Sequence, residues 1–162
     1  MTEAEMRGHR CCFTGHRPEK LLRDKEQITE DLTTAIDNAI SDGYRTFISG
    51  MAMGVDIWAA QIVLKKKSVF PDLHLICAIP FPGFGFRWPS QWSDSYRGII
   101  TQADLVKNLS PAFSYASFQR RNKWMVDHSG RVIAVYNGSS GGTRNTVEYA
   151  QQNNVSCILI SV

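Results

Sequence analysis

A chain of 162 residues, 43% hydrophobic and 20% charged, has the length and composition of one self-sufficient globular domain. Its net charge of +3 suits an anionic ligand but falls short of the excess that marks a dedicated nucleic-acid protein. No apolar run reaches the ~20 residues of a membrane span, residues Met1 to His9 lack a signal-peptide core, and the four cysteines form no CxxC pair, so a cytoplasmic protein with free thiols, no metal centre and no membrane partner is expected.

Residues 1–9 read as a flexible tail, and Arg10 to Thr14 as a first strand in which Cys11 and Cys12 point to opposite faces. Lys25 to Asp42 carries Ile28, Leu32, Ala35, Ile36, Ala39 and Ile40 at three- and four-residue spacing, a helix stopped by Gly43. Tyr44 to Ile48 is the second strand and Val55 to Lys66 the second helix, whose Lys65-Lys66-Lys67 end complements the negative pole of the helix dipole. Leu73 to Ile79 is a third strand closed by Pro80, followed by a long loop from Phe81 to Trp88 and a helix from Gln91 to Gln102. Leu105 to Leu109 is a fourth strand, Ser114 to His128 a helix, and Arg131 to Tyr136 a fifth strand. A glycine- and serine-rich loop, Asn137 to Gly142, leads into a helix from Thr143 to Gln152 and a sixth strand from Val155 to Ile160.

Strands alternating with helices imply an α/β, three-layer Rossmann-like fold with a mainly parallel sheet of about six strands, forming a single domain over residues 1–162. The third, fifth and sixth strands are nearly continuous apolar runs, as expected where both sheet faces are covered.

In such a sheet, ligands bind beyond the carboxyl ends of the strands. The chemically informative loops all follow strands: Thr14-Gly15-His16-Arg17-Pro18, then Ser49-Gly50-Met51-Ala52-Met53-Gly54, then Pro80 to Trp88, then Asn137 to Thr143. The connections at the opposite end are short and plain. Ser49 to Asp56 joins a strand to a helix N-terminus, whose free N–H groups attract phosphate. It is neither the dinucleotide G-x-G-x-x-G nor a P-loop, and alone it reads equally as a tight turn with Asp56 starting a helix. Gly138, Gly141, Gly142 and Thr143 allow the same two readings.

His16 and Arg17 suit a proton donor and a phosphate contact, or a solvated turn. Asp56 suits a ribose hydroxyl, a metal or a helix start; Arg121 and Asn122 suit a phosphate or a solvated helix face. Trp88, Trp92 and Trp124 are candidates for base stacking or for packing. The expected ligand-binding set is Thr14, Gly15, His16, Arg17, Ser49, Gly50, Met51, Ala52, Gly54, Asp56, Pro80, Trp88, Arg121, Asn122, Gly138, Gly141, Gly142 and Thr143, with His16, Asp56 and Glu148 as catalytic candidates. The expected partner is a nucleotide or NAD-like small molecule ahead of nucleic acid, with a homo-oligomer left open.

Several blocks, in order, resemble the YpsA-like branch of the SLOG superfamily, which includes DprA and the LOG phosphoribohydrolases. They are Phe13 to Pro18, Ser49 to Asp56, Ala78 to Phe81, Arg121 to His128, Ala134 to Gly138, and Gly141-Gly142-Thr143 with Thr146-Val147. The resemblance runs from about Cys11 to Val162 and implies a Rossmann-like fold that binds nucleotides or their derivatives. The Ser49–Asp56 block resembles the DprA block that receives nucleic-acid phosphate. The Gly141-Gly142-Thr143 block resembles the LOG loop P-G-G-x-G-T-x-x-E, but Thr146 stands where LOG enzymes place their catalytic glutamate. Glu148 lies two residues further on, roughly 200° around a helix; His16, Asp56 or Asp127 could supply acid/base chemistry, and Asp56 or Glu148 the carboxylate that N-glycosidic cleavage needs.

Overall fold

The computed structural model describes residues 1–162. Six strands, β1 (Arg10–Gly15), β2 (Thr46–Ser49), β3 (His74–Ile79), β4 (Leu105–Asn108), β5 (Arg131–Val135) and β6 (Ser156–Ile160), form one sheet in the order β4-β3-β2-β1-β5-β6. Every neighbouring pair is parallel, with Cys12 opposite Ile48 on one side and Val132 on the other. The helices are α1 (Glu3–Arg7), α2 (Lys25–Ser41), α3 (Val55–Lys67), α4 (Ser90–Gln102), α5 (Tyr115–Asp127) and α6 (Gly142–Gln152).

The period-two alternation of the strands divides the core. Cys11, Phe13, Phe47, Leu75 and Ile133 face a large cluster built with α2, α3 and α4. Cys12, Ile48, Ala78, Val132 and Ala134 face a smaller one built with α5 and α6. Cys11 and Cys12 therefore do point to opposite faces, and both are fully buried free thiols. The result is the three-layer α/β arrangement expected from the alternation of elements.

The structure departs from the sequence reading in three places. The segment before β1, read as a tail, carries the short helix α1, held by a reciprocal capping box between Thr2 and Glu5 and by the Arg10–Glu3 ion pair at 2.8 Å. Its signal, Thr-x-x-Glu, was present in the sequence. Strand β2 begins at Thr46 rather than Tyr44, because the Tyr44 N–H closes the end of α2 on Ala39 O. Strand β6 is apolar but not covered on both faces: it is an edge strand, and Ile158 and Leu159 are exposed.

Candidate functional site

Strands are added outward from β1 to β4 on one side, and then the chain returns to place β5 against the other side of β1. The loops after β1 and β5 therefore leave the sheet in opposite directions and open a crevice at their carboxyl ends. A cavity of about 280 Å³ occupies it.

Four segments meet there. The β1 loop supplies Thr14, Gly15, His16 and Arg17; the β2 loop and the first turn of α3 supply Ala52 and Asp56; α5 supplies Arg121 and Asn122; the start of α6 supplies Gly141, Gly142 and Thr143. All of these were named from the sequence. The cavity also takes in Lys20, Phe84, Phe118 and Met125, which were not. Phe118, Arg121, Asn122 and Met125 fall at i, i+3, i+4 and i+7, one face of α5. That spacing would have found Phe118 and Met125 once Arg121 was chosen. Lys20, in a 3-10 turn whose Nζ donates to Ser140 O at 3.4 Å, has no comparable local signal.

The β2 loop works from behind the cavity wall. Ser49 Oγ donates to Asp56 O at 2.9 Å and accepts the Met51 N–H at 3.2 Å. Met51 is fully buried with φ of 61°, so it anchors the turn from the core rather than facing a ligand. Gly54 has φ of 92°, and a Cβ there would come within 2.9 Å of Pro18 Cδ, so this turn closes against the β1 loop only with glycine. Gly50 contributes its carbonyl, which accepts from Arg121 Nη1.

Arg121 and Asp56 are both buried. Arg121 Nε also donates to Asn122 Oδ1 at 2.8 Å, and the guanidinium lies 5.9 Å from the centre of the Phe84 ring. Asp56 Oδ2 accepts the Ala52 N–H at 3.2 Å, while Oδ1 has no hydrogen-bond partner. Burial pushes the Asp56 carboxyl up to about 6, against the opposing pull of the Arg121 charge. Burial lowers the Arg121 pKa, and Asp56 counters that shift. His16 is also buried, with Nε2 lying 2.8 Å from Asn137 Oδ1 and 3.4 Å from Ser139 Oγ. The β5 loop thus orients the β1 histidine.

Neither α3 nor α6 has a side-chain cap: glycines, Gly54 and Gly141, occupy the N-cap positions. Their first N–H groups have no acceptor within the helix, and at α6 they open on the cavity through Gly142 and Thr143. With Arg17, Lys20 and Arg121 around them, and Asp56 as the one lining carboxylate, the arrangement favours an anion. No group of three or more His, Cys, Asp or Glu side chains converges anywhere in the fold.

Six further sequence candidates lie outside the cavity lining. Pro80 is buried at the end of β3 and does not line the cavity. Trp88 packs edge-to-face on Phe84 at 5.0 Å and on Tyr96 at 5.4 Å, so Phe84 takes the place at the cavity foreseen for a tryptophan. Trp92 and Trp124 are likewise packing residues, against Trp58 and His128. Gly138, with φ of 88°, shapes the loop between Asn137 and Ser139 but stays outside the lining. Glu148, a catalytic candidate in the sequence, lies outside the cavity lining, 48% exposed on α6 and paired with Arg144 at 2.8 Å. Thr146, at the position of the LOG glutamate, is buried and donates to Gly142 O at 2.9 Å.

Comparison with known proteins places these features in context. Residues 11–162 match the YspA SLOG family. The SPbeta prophage-derived protein YoqJ of Bacillus subtilis strain 168 is 32% identical over 143 residues, covering 78% of this chain and 81% of that protein. A UPF0398 protein of Bacillus pumilus is 28% identical over 138 residues, covering 80% of this chain and 74% of that protein. Among solved structures, DNA processing protein A from Helicobacter pylori, described for its single-stranded DNA binding mode, matches with a TM-score of 0.66. That match covers 97% of this chain at 18% identity, a likeness of fold, and the chain spans 66% of the length of that neighbour.

Proposed function

The chain belongs to the YspA SLOG family, and on that premise we propose that it binds a nucleotide or nucleotide-derived ligand in the crevice between β1 and β5, with the phosphate at the start of α6. The observation that carries this reading is the uncapped α6 N-terminus opening on a cavity that Arg17, Lys20 and Arg121 also line. Phe84 and Phe118, with ring centres 5.8 Å apart, supply an apolar wall for a base. No helix is long and apolar enough to cross a membrane. The test is calorimetry with AMP, ADP, NAD and ADP-ribose, on the wild type and on Gly142→Asp. Saturable binding lost in the variant is expected; a flat response to all four would overturn the reading.

A second reading, single-stranded nucleic acid, draws on one surface feature. The Phe118 ring continues to Phe113 at 6.3 Å and from there to Tyr115 at 5.4 Å, and these last two are 58% and 87% exposed. Rings presented in series beside a cationic cavity suit unstacked bases. A mobility shift with an oligonucleotide at low salt tests it, and unchanged mobility removes it. Cleavage of a nucleotide N-glycosidic bond would rest on His16 and Asp56, the two catalytic candidates at the cavity. Chromatography for free base after incubation with nucleoside monophosphates and NAD tests that version.

A further inference from the structure

We infer that the site selects ribonucleotides over deoxyribonucleotides, with a ribose hydroxyl donating to the Asp56 carboxylate. This rests on the nucleotide reading above and adds the sugar. Asp56 lines the cavity, is only 6% exposed, and uses one of its two oxygens. Oδ1 is covered and has no partner, an uncommon state for a buried carboxylate oxygen. The two oxygens exchange by rotation about a soft torsion. One can hold the Ala52 N–H while the other meets a ligand.

The missing partner must be a hydrogen-bond donor, because an ionised carboxylate only accepts. A phosphate oxygen is excluded by charge. A divalent cation needs several oxygen ligands, and Asp56 is the one carboxylate among the lining residues. Arg121 already donates to Gly50 O and Asn122 Oδ1 and forms no ion pair with Asp56. A neutral hydroxyl satisfies all three conditions. On a nucleotide, the hydroxyls lie on the sugar between phosphate and base. Asp56 lines one cavity with the α6 N-terminus and the Phe84 and Phe118 rings, so all three face the same space.

The experiment is calorimetry on the full chain with AMP and GMP, each beside its 2′-deoxy and 3′-deoxy counterpart. Loss of a hydrogen bond to a charged group predicts binding about 10- to 100-fold weaker for at least one deoxy form. In Asp56→Asn that discrimination is expected to shrink to a few-fold, with circular dichroism confirming the fold. Equal affinity for ribo and deoxy forms in the wild type overturns the sugar assignment and leaves the nucleotide reading standing. Discrimination undiminished in a folded Asp56→Asn overturns the role of Asp56. Binding of none of these probes overturns this inference, and the nucleotide reading falls with it if ADP, NAD and ADP-ribose also give a flat response.

Discussion

Asp56 and Arg121 line one cavity, both buried and oppositely charged, and they do not pair. The Arg121 guanidinium is held by Gly50 O and Asn122 Oδ1, and the Asp56 carboxylate by the Ala52 N–H. Each moderates the other's burial through space, yet each keeps capacity for a ligand. A direct ion pair would have closed the site on itself.

The Asp56 carboxylate should cost stability at neutral pH. Its folded pKa, about 6, is above the ordinary 3.8 of an exposed aspartate. At about pH 3 and below it is protonated in both states and carries no penalty. Between about 4 and 6 the folded state holds a proton that the unfolded state has lost, so stability falls as pH rises; above that window the cost levels off at about 3 kcal/mol. Asp56→Asn is therefore expected to be more stable than wild type by about 1–3 kcal/mol at pH 7.5 and equal to it at about pH 3. Denaturant unfolding at the two pH values checks this.

Arg121→Met should act in two ways. It leaves the Gly50 carbonyl without its donor, a loss of about 1–3 kcal/mol. It also removes the charge that restrains the Asp56 pKa, which should rise further. A lower melting temperature at neutral pH is expected, with at least 10-fold weaker binding of the nucleotides. Adding Asp56→Asn should recover part of the stability and none of the affinity, since the two groups are electrostatically coupled.

Two glycines in the cavity lining should respond oppositely to alanine. A Cβ on Gly15 would come within 2.5 Å of Val55 Cβ, and both belong to packed backbone elements, so Gly15→Ala should cost about 1–3 kcal/mol. A Cβ on Gly142 meets nothing nearer than Asn122 Nδ2 at 3.8 Å, so Gly142→Ala should leave stability unchanged or slightly raised. Thermal unfolding separates them. Gly142→Asp should fold as well, while its carboxylate opposes an anion at the α6 N-terminus.

Tyr115→Ala tests the exposed aromatic surface. The side chain is 87% exposed, so its removal should change stability by no more than about 0.5 kcal/mol. Oligonucleotide affinity that falls while mononucleotide affinity holds would support the single-strand reading. No change in either would confine the site to the cavity.

Much of the cavity lining was legible because parallel strands must send their carboxyl-end loops to one edge of the sheet, and glycine-rich loops mark themselves by composition. The residues misplaced show where that logic stops. Pro80 and Trp88 belong to the right class of loop, but β3 is two strands from β1, about 10 Å away at ordinary strand spacing. From that loop Phe84, and neither Pro80 nor Trp88, lines the cavity. Trp88, a candidate for base stacking in the sequence, is one of the rings Phe84 packs against.

From β1 onward, local pattern was enough for the main strands and α-helices, their order and the parallel sense of the sheet, since hydrophobic period and connection length depend on neighbours in sequence. It also marked Gly54 and Gly142 as glycines at strand-to-helix junctions, of which Gly142 lines the cavity. The tertiary structure alone decided that β5 lies against β1, and so that His16 meets Asn137 and Arg121 meets Gly50 across separations of 121 and 71 residues. Which strand edge receives a returning chain depends on how two helical layers fill the faces of the finished sheet. That is a property of the whole packed core, and no short stretch of residues carries it.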